Sequence, residues 1–170
     1  MQQTNRLIEK AVDIWCNALK KPNFDNGDKT VTGEMINVLA SKLVEKELVN
    51  DEELDNKIAI FRQHLTANLI KRSKIEGESF WESLSCDYNP CTILNSAAHA
   101  ANIPARLFSV KSSVDIESGF LEVKFGYGCL PTLYYPLPDG RWLKAKLRGP
   151  DMEKVISSVM DGNPLGFEIE

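Results

Sequence analysis

The residues best suited to chemistry sit close together: Cys86 and Cys91, followed by His99, one of only two histidines in the chain. A thiol beside an imidazole suggests covalent catalysis, in which a thiolate attacks a carbonyl carbon and the histidine shuttles the proton. Asp87 or Asp115 is then available to orient the imidazole, and His64 is the other possible base. Spacing limits this reading. Cys91, Asn95 and His99 follow at i, i+4 and i+8, so they share one face of a helix. Cys91 and His99 would then lie two turns apart, about 12 Å along the axis, too far for a direct thiol–imidazole hydrogen bond. Any thiol activated by His99 must therefore come from another element. The competing structural reading makes Cys91 a small packing residue and His99 a polar residue at a helix end.

The segment around these residues is expected to be a loop, a slim helix, a stop and a strand. Asn89-Pro90 signals a helix start, because asparagine accepts bonds from free backbone N–H groups and proline suits the first helical position. This puts Cys91 in the first turn, at the positive end of the helix dipole, where a thiol pKa can fall. Ala97, Ala98, Ala100 and Ala101 give a thin rod that other elements can approach closely, so the rod is expected to be the packing hub. Asn102 and Pro104 end it, and Arg106 to Val110 alternates as a strand should.

A chain of 170 residues can bury a sizeable core as a single domain spanning 1–170, with a helical part over 1–76 and the slim helix plus sheet over 77–170. The net charge of −4 and the lack of a basic block argue against nucleic-acid binding. No apolar run approaches 18 residues, so no membrane span is expected. Met1-Gln2-Gln3-Thr4-Asn5 leads straight into a helical pattern, so the expectation is a cytoplasmic protein whose cysteines are reduced thiols. Cys16, Cys86, Cys91 and Cys129 show no CxxC spacing. With only two histidines, no metal site and no cofactor are expected.

Three amphipathic helices are expected first. One runs to about Lys21 on the stripe Leu7, Ile8, Ala11, Ile14, Trp15, Ala18 and Leu19. A second runs from Thr30 or Thr32 to about Leu48, burying Met35, Val38, Leu39, Leu43 and Val44. A third runs to about Lys74 on Leu54, Ile58, Phe61, Leu65 and Leu69. Between the first two, Pro22 to Asp28 is a turn-rich loop, and its Asp25 and Asp28 are candidate ligands for a cation or polar molecule. Gly77 breaks the helical part, and Glu78 to Leu84 is expected to be a short helical turn. Later, Leu121 to Phe125 alternates as a half-buried strand, and Pro138-Asp139-Gly140 marks a hairpin between strands 132–137 and 141–147. A last helix is expected over about 152–160, followed by a short tail.

The order of elements is distinctive: helices, a Cys-bearing helix ending in Ile103-Pro104-Ala105-Arg106, then an antiparallel sheet carrying Leu137-Pro138-Asp139-Gly140-Arg141-Trp142. It resembles the transglutaminase-like branch of the papain-like superfamily. Ala101 to Arg106 is similar to that family's alanine-glycine-isoleucine-proline-alanine-arginine stretch. The likeness covers roughly Cys86 to Lys146. It implies an α+β fold in which N-terminal helices and a central Cys-bearing helix pack on a C-terminal antiparallel β-sheet, with a final short helix. It also implies a nucleophilic cysteine at the helix start, a histidine on the next strand and an orienting aspartate on the strand after. The sequence departs from that triad. Cys86 is about one residue early and Cys91 about a turn late. Gly128 to Pro131 contains no histidine, and Lys144 or Lys146 stands where the aspartate would be.

Two functional expectations follow. The first is a non-catalytic binding or regulatory domain on a transglutaminase-like scaffold, with Tyr134 and Trp142 in an aromatic contact patch with Tyr127, Tyr135 and Pro136. Its partner, protein or small molecule, is unspecified. The alternative is a cysteine-dependent hydrolase or acyltransferase with a rearranged site built from Cys86, Cys91 and His99.

Overall fold

A computed structural model describes residues 2–21, 35, 38–39, 41–42, 53–126, 129–146 and 168–169. The expected Asp25–Asp28 loop, the last helix, Tyr127 and Gly128 lie outside these residues. The class is α+β, with helices first and an antiparallel sheet after them. Helix α1 is Gln2–Lys20, α2 is Leu54–Glu76 and α3 is Thr92–Ala100. The strands are β1 (Glu82–Cys86), β2 (Ser112–Ile116), β3 (Leu121–Phe125), β4 (Thr132–Pro136), β5 (Trp142–Lys146) and β6 (Glu168–Ile169). They form one sheet in the order β1-β2-β3-β4-β5-β6, every pair antiparallel.

Apolar periodicity accounts for the two long helices. In α1 the buried stripe is Leu7, Ile8, Ala11, Val12, Trp15, Cys16 and Leu19, while Ile14 and Ala18 are half-buried. In α2 it is Ile58, Phe61, Leu65 and Leu69. Gly77 ends α2 at φ 62°, a left-handed conformation that costs glycine least, and its N–H donates to Ser73 O. Between the two helices, Met35, Val38, Leu39, Ser41 and Lys42 are helical, as expected. Met35, Val38 and Leu39 are exposed rather than buried, however. Helical spacing alone put them on one face; it could not supply an element to cover them.

The packing hub is α1, not the alanine-lined helix. Its stripe lies on α2, β2 and β4. Trp15 is fully buried, with ring centroids 5.7 Å from Phe108 and 5.6 Å from Phe125, and Phe61 meets Phe108 at 5.9 Å. Helix α3 instead packs on α2 and on the edge strand β1, burying Leu94, Ala97 and Ala98. Three modest side chains cannot gather a core as seven residues including a tryptophan can, since burial energy scales with apolar area.

Strand alternation sorts the sheet into two faces. Leu84, Cys86, Val114, Ile116, Leu121 and Val123 join the core formed with α1 and α2. Ser83, Asp115, Glu122, Leu133 and Ala145 form one row on the opposite face. That face is polar over β1 to β3. Over β4 and β5 it is apolar, with Leu133, Leu143 and Ala145 buried.

Several local expectations need correction. Glu78 to Leu84 is not a helical turn throughout: a 3-10 turn covers Gly77–Ser79, and the chain then enters β1. Arg106 to Val110 is not a strand either. Ala105–Leu107 forms a 3-10 turn, and β2 begins only at Ser112. Leu107 and Phe108 are both buried, so the chain turns to place consecutive residues in the core. The tail contributes a sixth strand, Glu168–Ile169, against β5. The hairpin forms as read: Leu137 N–H donates to Arg141 O at 2.8 Å and Gly140 takes φ 94°. The Asp139 carboxylate accepts from Arg141 Nε at 2.8 Å, and this partner holds its pKa below the usual range.

Candidate functional site

Cys86 closes β1, and the chain turns back at once into α3. Cys86 pairs with Pro90 in an isolated antiparallel bridge, and Cys91 N–H donates to Ser85 O at 2.8 Å. These contacts also occupy the outer edge of β1 at Ser85 and Cys86, which would otherwise present free backbone groups there. Pro90 is therefore spent on the bridge instead of the first helical position. Cys91 is the N-cap of α3, at φ −58° and ψ 165°, with Thr92 opening the helix. Its carbonyl accepts the helix's opening bond, from Asn95 N–H at 2.8 Å.

At the far end Asn102 adopts φ 52°. Ile103 N–H returns to Ala98 O at 2.9 Å and Asn102 N–H to His99 O at 3.2 Å, a Schellman arrangement that satisfies two end carbonyls. Asparagine tolerates this conformation better than most residues, which is why the helix stops where the sequence indicates.

The two sulfurs differ in environment. Cys86 is 1% exposed, whereas Cys91 is half-buried against the same core. Burial pushes the Cys86 thiol up to about 11, and the nearby Cys91 and Asp87 add to the rise. At neutral pH about one Cys86 in ten thousand would be a thiolate, so Cys86 is a poor nucleophile. Burial likewise raises the Cys16 thiol inside α1. Cys129 is exposed.

His99 is exposed in the last turn of α3, and His64 is exposed on α2. Neither candidate orienting carboxylate serves an imidazole. Asp87 forms an ion pair with Lys111, whose ammonium also lies 4.4 Å from the centre of the Tyr88 ring. Asp115 accepts hydrogen bonds from Ser83 Oγ and from Ser113 Oγ, the latter at 3.0 Å. The structure thus brings Cys86 and Cys91 together and gives neither aspartate a histidine. No group of three or more His, Cys, Asp or Glu side chains that could hold a metal ion occurs among the described residues. No described helix is long and apolar enough to cross a membrane.

Tyr134 and Trp142 face α1 and are half-buried against the core. Lys10 of α1 lies 5.1 Å from the Tyr134 ring centre and 5.5 Å from that of Trp142. Arg6 lies 5.5 Å over Trp142 and donates to Leu137 O at 3.0 Å. Cation–π contacts of this kind fix the first turns of α1 to the hairpin. Sequence reading missed both cations, although Arg6 and Lys10 stand one helical turn apart beside the buried stripe. Tyr135 points to the opposite face and stacks on Phe120 with centroids 5.3 Å apart. A cleft of about 800 Å³ lies between the start of α1, the end of α2 and the β2–β3 turn. Leu7, Ile70, Phe80 and Ile116 supply its apolar walls, and Asn5 and Lys74 its polar ones.

One buried carboxylate stands out. Glu82 opens β1 at 8% exposure. Arg72 Nε lies 2.9 Å from its Oε2, an ion pair outside hydrogen-bond geometry. Burial raises the Glu82 pKa, Arg72 offsets part of the rise, and Glu76 adds to it. A carboxyl group with a raised folded-state pKa stabilises the fold when protonated. That contribution is lost as pH climbs from the unfolded value, about 4.3, through the folded one. Glu82→Gln is therefore expected to gain in melting temperature relative to the parent as pH rises from 4 to 7. A gain that shrinks over this range would refute the assignment.

Comparison with protein-family models, with curated proteins and with solved structures gives no match.

Proposed function

We propose that this chain is a non-catalytic binding or regulatory domain, built on a scaffold like that of the transglutaminases. The observation that carries this reading is the burial of Cys86, which pushes its thiol up to about 11 and leaves Cys91 and Asp87, not a histidine, as the charged neighbours it feels. A hydrolase of the resembled kind needs the opposite, a thiolate poised beside an imidazole. Where the resemblance calls for an orienting aspartate, Lys144 lies 5.9 Å from the Tyr134 ring centre. Binding is assigned to the rim where Tyr134 and Trp142 meet Arg6 and Lys10, since aromatic and arginine side chains suit contact surfaces.

Hydrolysis of 4-nitrophenyl acetate tests the reading. The wild type and the Cys86→Ala/Cys91→Ala double variant are expected to release nitrophenol at rates within about twofold of each other. Neither is expected to show an initial burst. A burst approaching one equivalent per chain that the double variant lacks would establish the thiol enzyme instead.

A further inference from the structure

We propose that Cys86 and Cys91 form a dithiol redox site, which closes to an intramolecular disulfide by exchange with a low-molecular-weight disulfide. The backbone carries the inference. The Cys86–Pro90 bridge and the bond from Cys91 N–H to Ser85 O hold Cys91 one residue from the position opposite Cys86. Paired Cα atoms about 5 Å apart and a rise near 3.4 Å per residue put such neighbours about 6 Å apart. Disulfides span Cα separations of about 4.4–6.8 Å. A regular ladder would send the two side chains to opposite faces. The ladder ends here, because Cys91 leaves it to cap α3, and both side chains meet one core. The charge of Cys91 is felt at Cys86, consistent with sulfurs that lie close together.

The roles follow from exposure. Cys91 is the accessible partner and Cys86 the buried one. The Cys91 thiolate attacks one sulfur of the external disulfide; that S–S bond breaks, a mixed disulfide forms on Cys91, and one small thiolate leaves. Cys86 then loses its proton to solvent base and attacks Cys91 Sγ. The Cys86–Cys91 bond forms, and the second small thiolate leaves. Two protein thiols are oxidised and one external disulfide is reduced to two thiols, which take up the two protons released. The high Cys86 pKa makes the second step the slow one at neutral pH.

Oxidised glutathione is the probe, applied to the folded 170-residue chain carrying Cys129→Ser, which removes the exposed thiol. Samples are acid-quenched, alkylated and read by intact and peptide mass. Expected is one glutathionyl adduct on Cys91 that then disappears as a Cys86–Cys91 disulfide accumulates. The second phase should quicken about tenfold per pH unit between 7 and 9, because the Cys86 thiolate fraction does. The Cys86→Ser variant should keep its adduct. An adduct on Cys91 that persists in the Cys129→Ser chain overturns the proposal. So does the absence of any adduct on Cys91, or a disulfide that forms only in denaturant. The decisive readings come from a chain with both cysteines intact, so the proposal stands or falls even if the Cys86→Ser variant does not fold.

Discussion

Replacing Trp15 with alanine should cost about 3–5 kcal/mol, read as the shift in free energy of denaturant unfolding. Against the 5–15 kcal/mol typical of a native domain, this is enough to leave the chain marginally folded or unfolded. The reason is position. Trp15 is wholly buried in α1, where it meets Phe108 after α3 and Phe125 on β3. Its loss therefore opens a cavity where helix and sheet join, a site lined by large rings that relax poorly. Trp15→Phe should cost less than half as much. The indole Nε1 is buried without a hydrogen-bond partner, so phenylalanine keeps most of the apolar contact and removes an unsatisfied donor. A loss below about 1 kcal/mol for the alanine variant would show that α1 is not the hub.

The second large effect is expected in α3. Ala97 is completely buried, and Ala98 and Ala101 are nearly so, where α3 meets α2 and β1. Ala97→Leu adds three carbon atoms to an interface packed at crystal-like density, for an expected loss of about 1–3 kcal/mol. Ser96→Leu, one residue earlier and exposed, should change stability by less than about 0.5 kcal/mol. Equal losses at the two positions would mean that the alanines reflect helix propensity alone. Because α3 is pressed against β1, Ala97→Leu should also speed alkylation of Cys86 by loosening the turn between them.

These two helices show what the sequence could and could not reveal. The stripes of α1 and α2 were legible because a period of 3.6 repeats over many residues, and Trp15, Phe61, Leu65 and Leu69 fall on it without ambiguity. The β4–β5 hairpin was legible from three residues, since Pro138-Asp139-Gly140 suits a tight turn with glycine at positive φ. Asn102 and Pro104 marked the end of α3 for a similarly local reason. Strands β1 and β2 were harder. Each has five residues, and they pair across a separation of about thirty, so no local signal joins Leu84 to Val114. Arg106 to Phe108 looked extended because turn and strand share the same apolar letters there.

The site followed the same divide. Sequence alone showed that Cys91 and His99 stand too far apart on one helix. It could not show that Cys86 sits at an inward-facing strand position, because that parity depends on β1 being a strand. Nor could it show that Asp115 faces Ser83, or that Lys111 reaches Asp87, since both contacts depend on the register of β1 with β2 and on the loop after α3.

We propose, centrally, that this protein does not run on an activated thiol. The most direct test is the rate of iodoacetamide labelling at each cysteine as pH is raised from 5 to 10, resolved by peptide mass. The account predicts that Cys86 labels more slowly than free cysteine at pH 7 and that its rate still climbs at pH 10 without levelling, in keeping with a thiol pushed up to about 11. A plateau below pH 7 at Cys86 or Cys91, the mark of a thiolate held beside a cation, would contradict it.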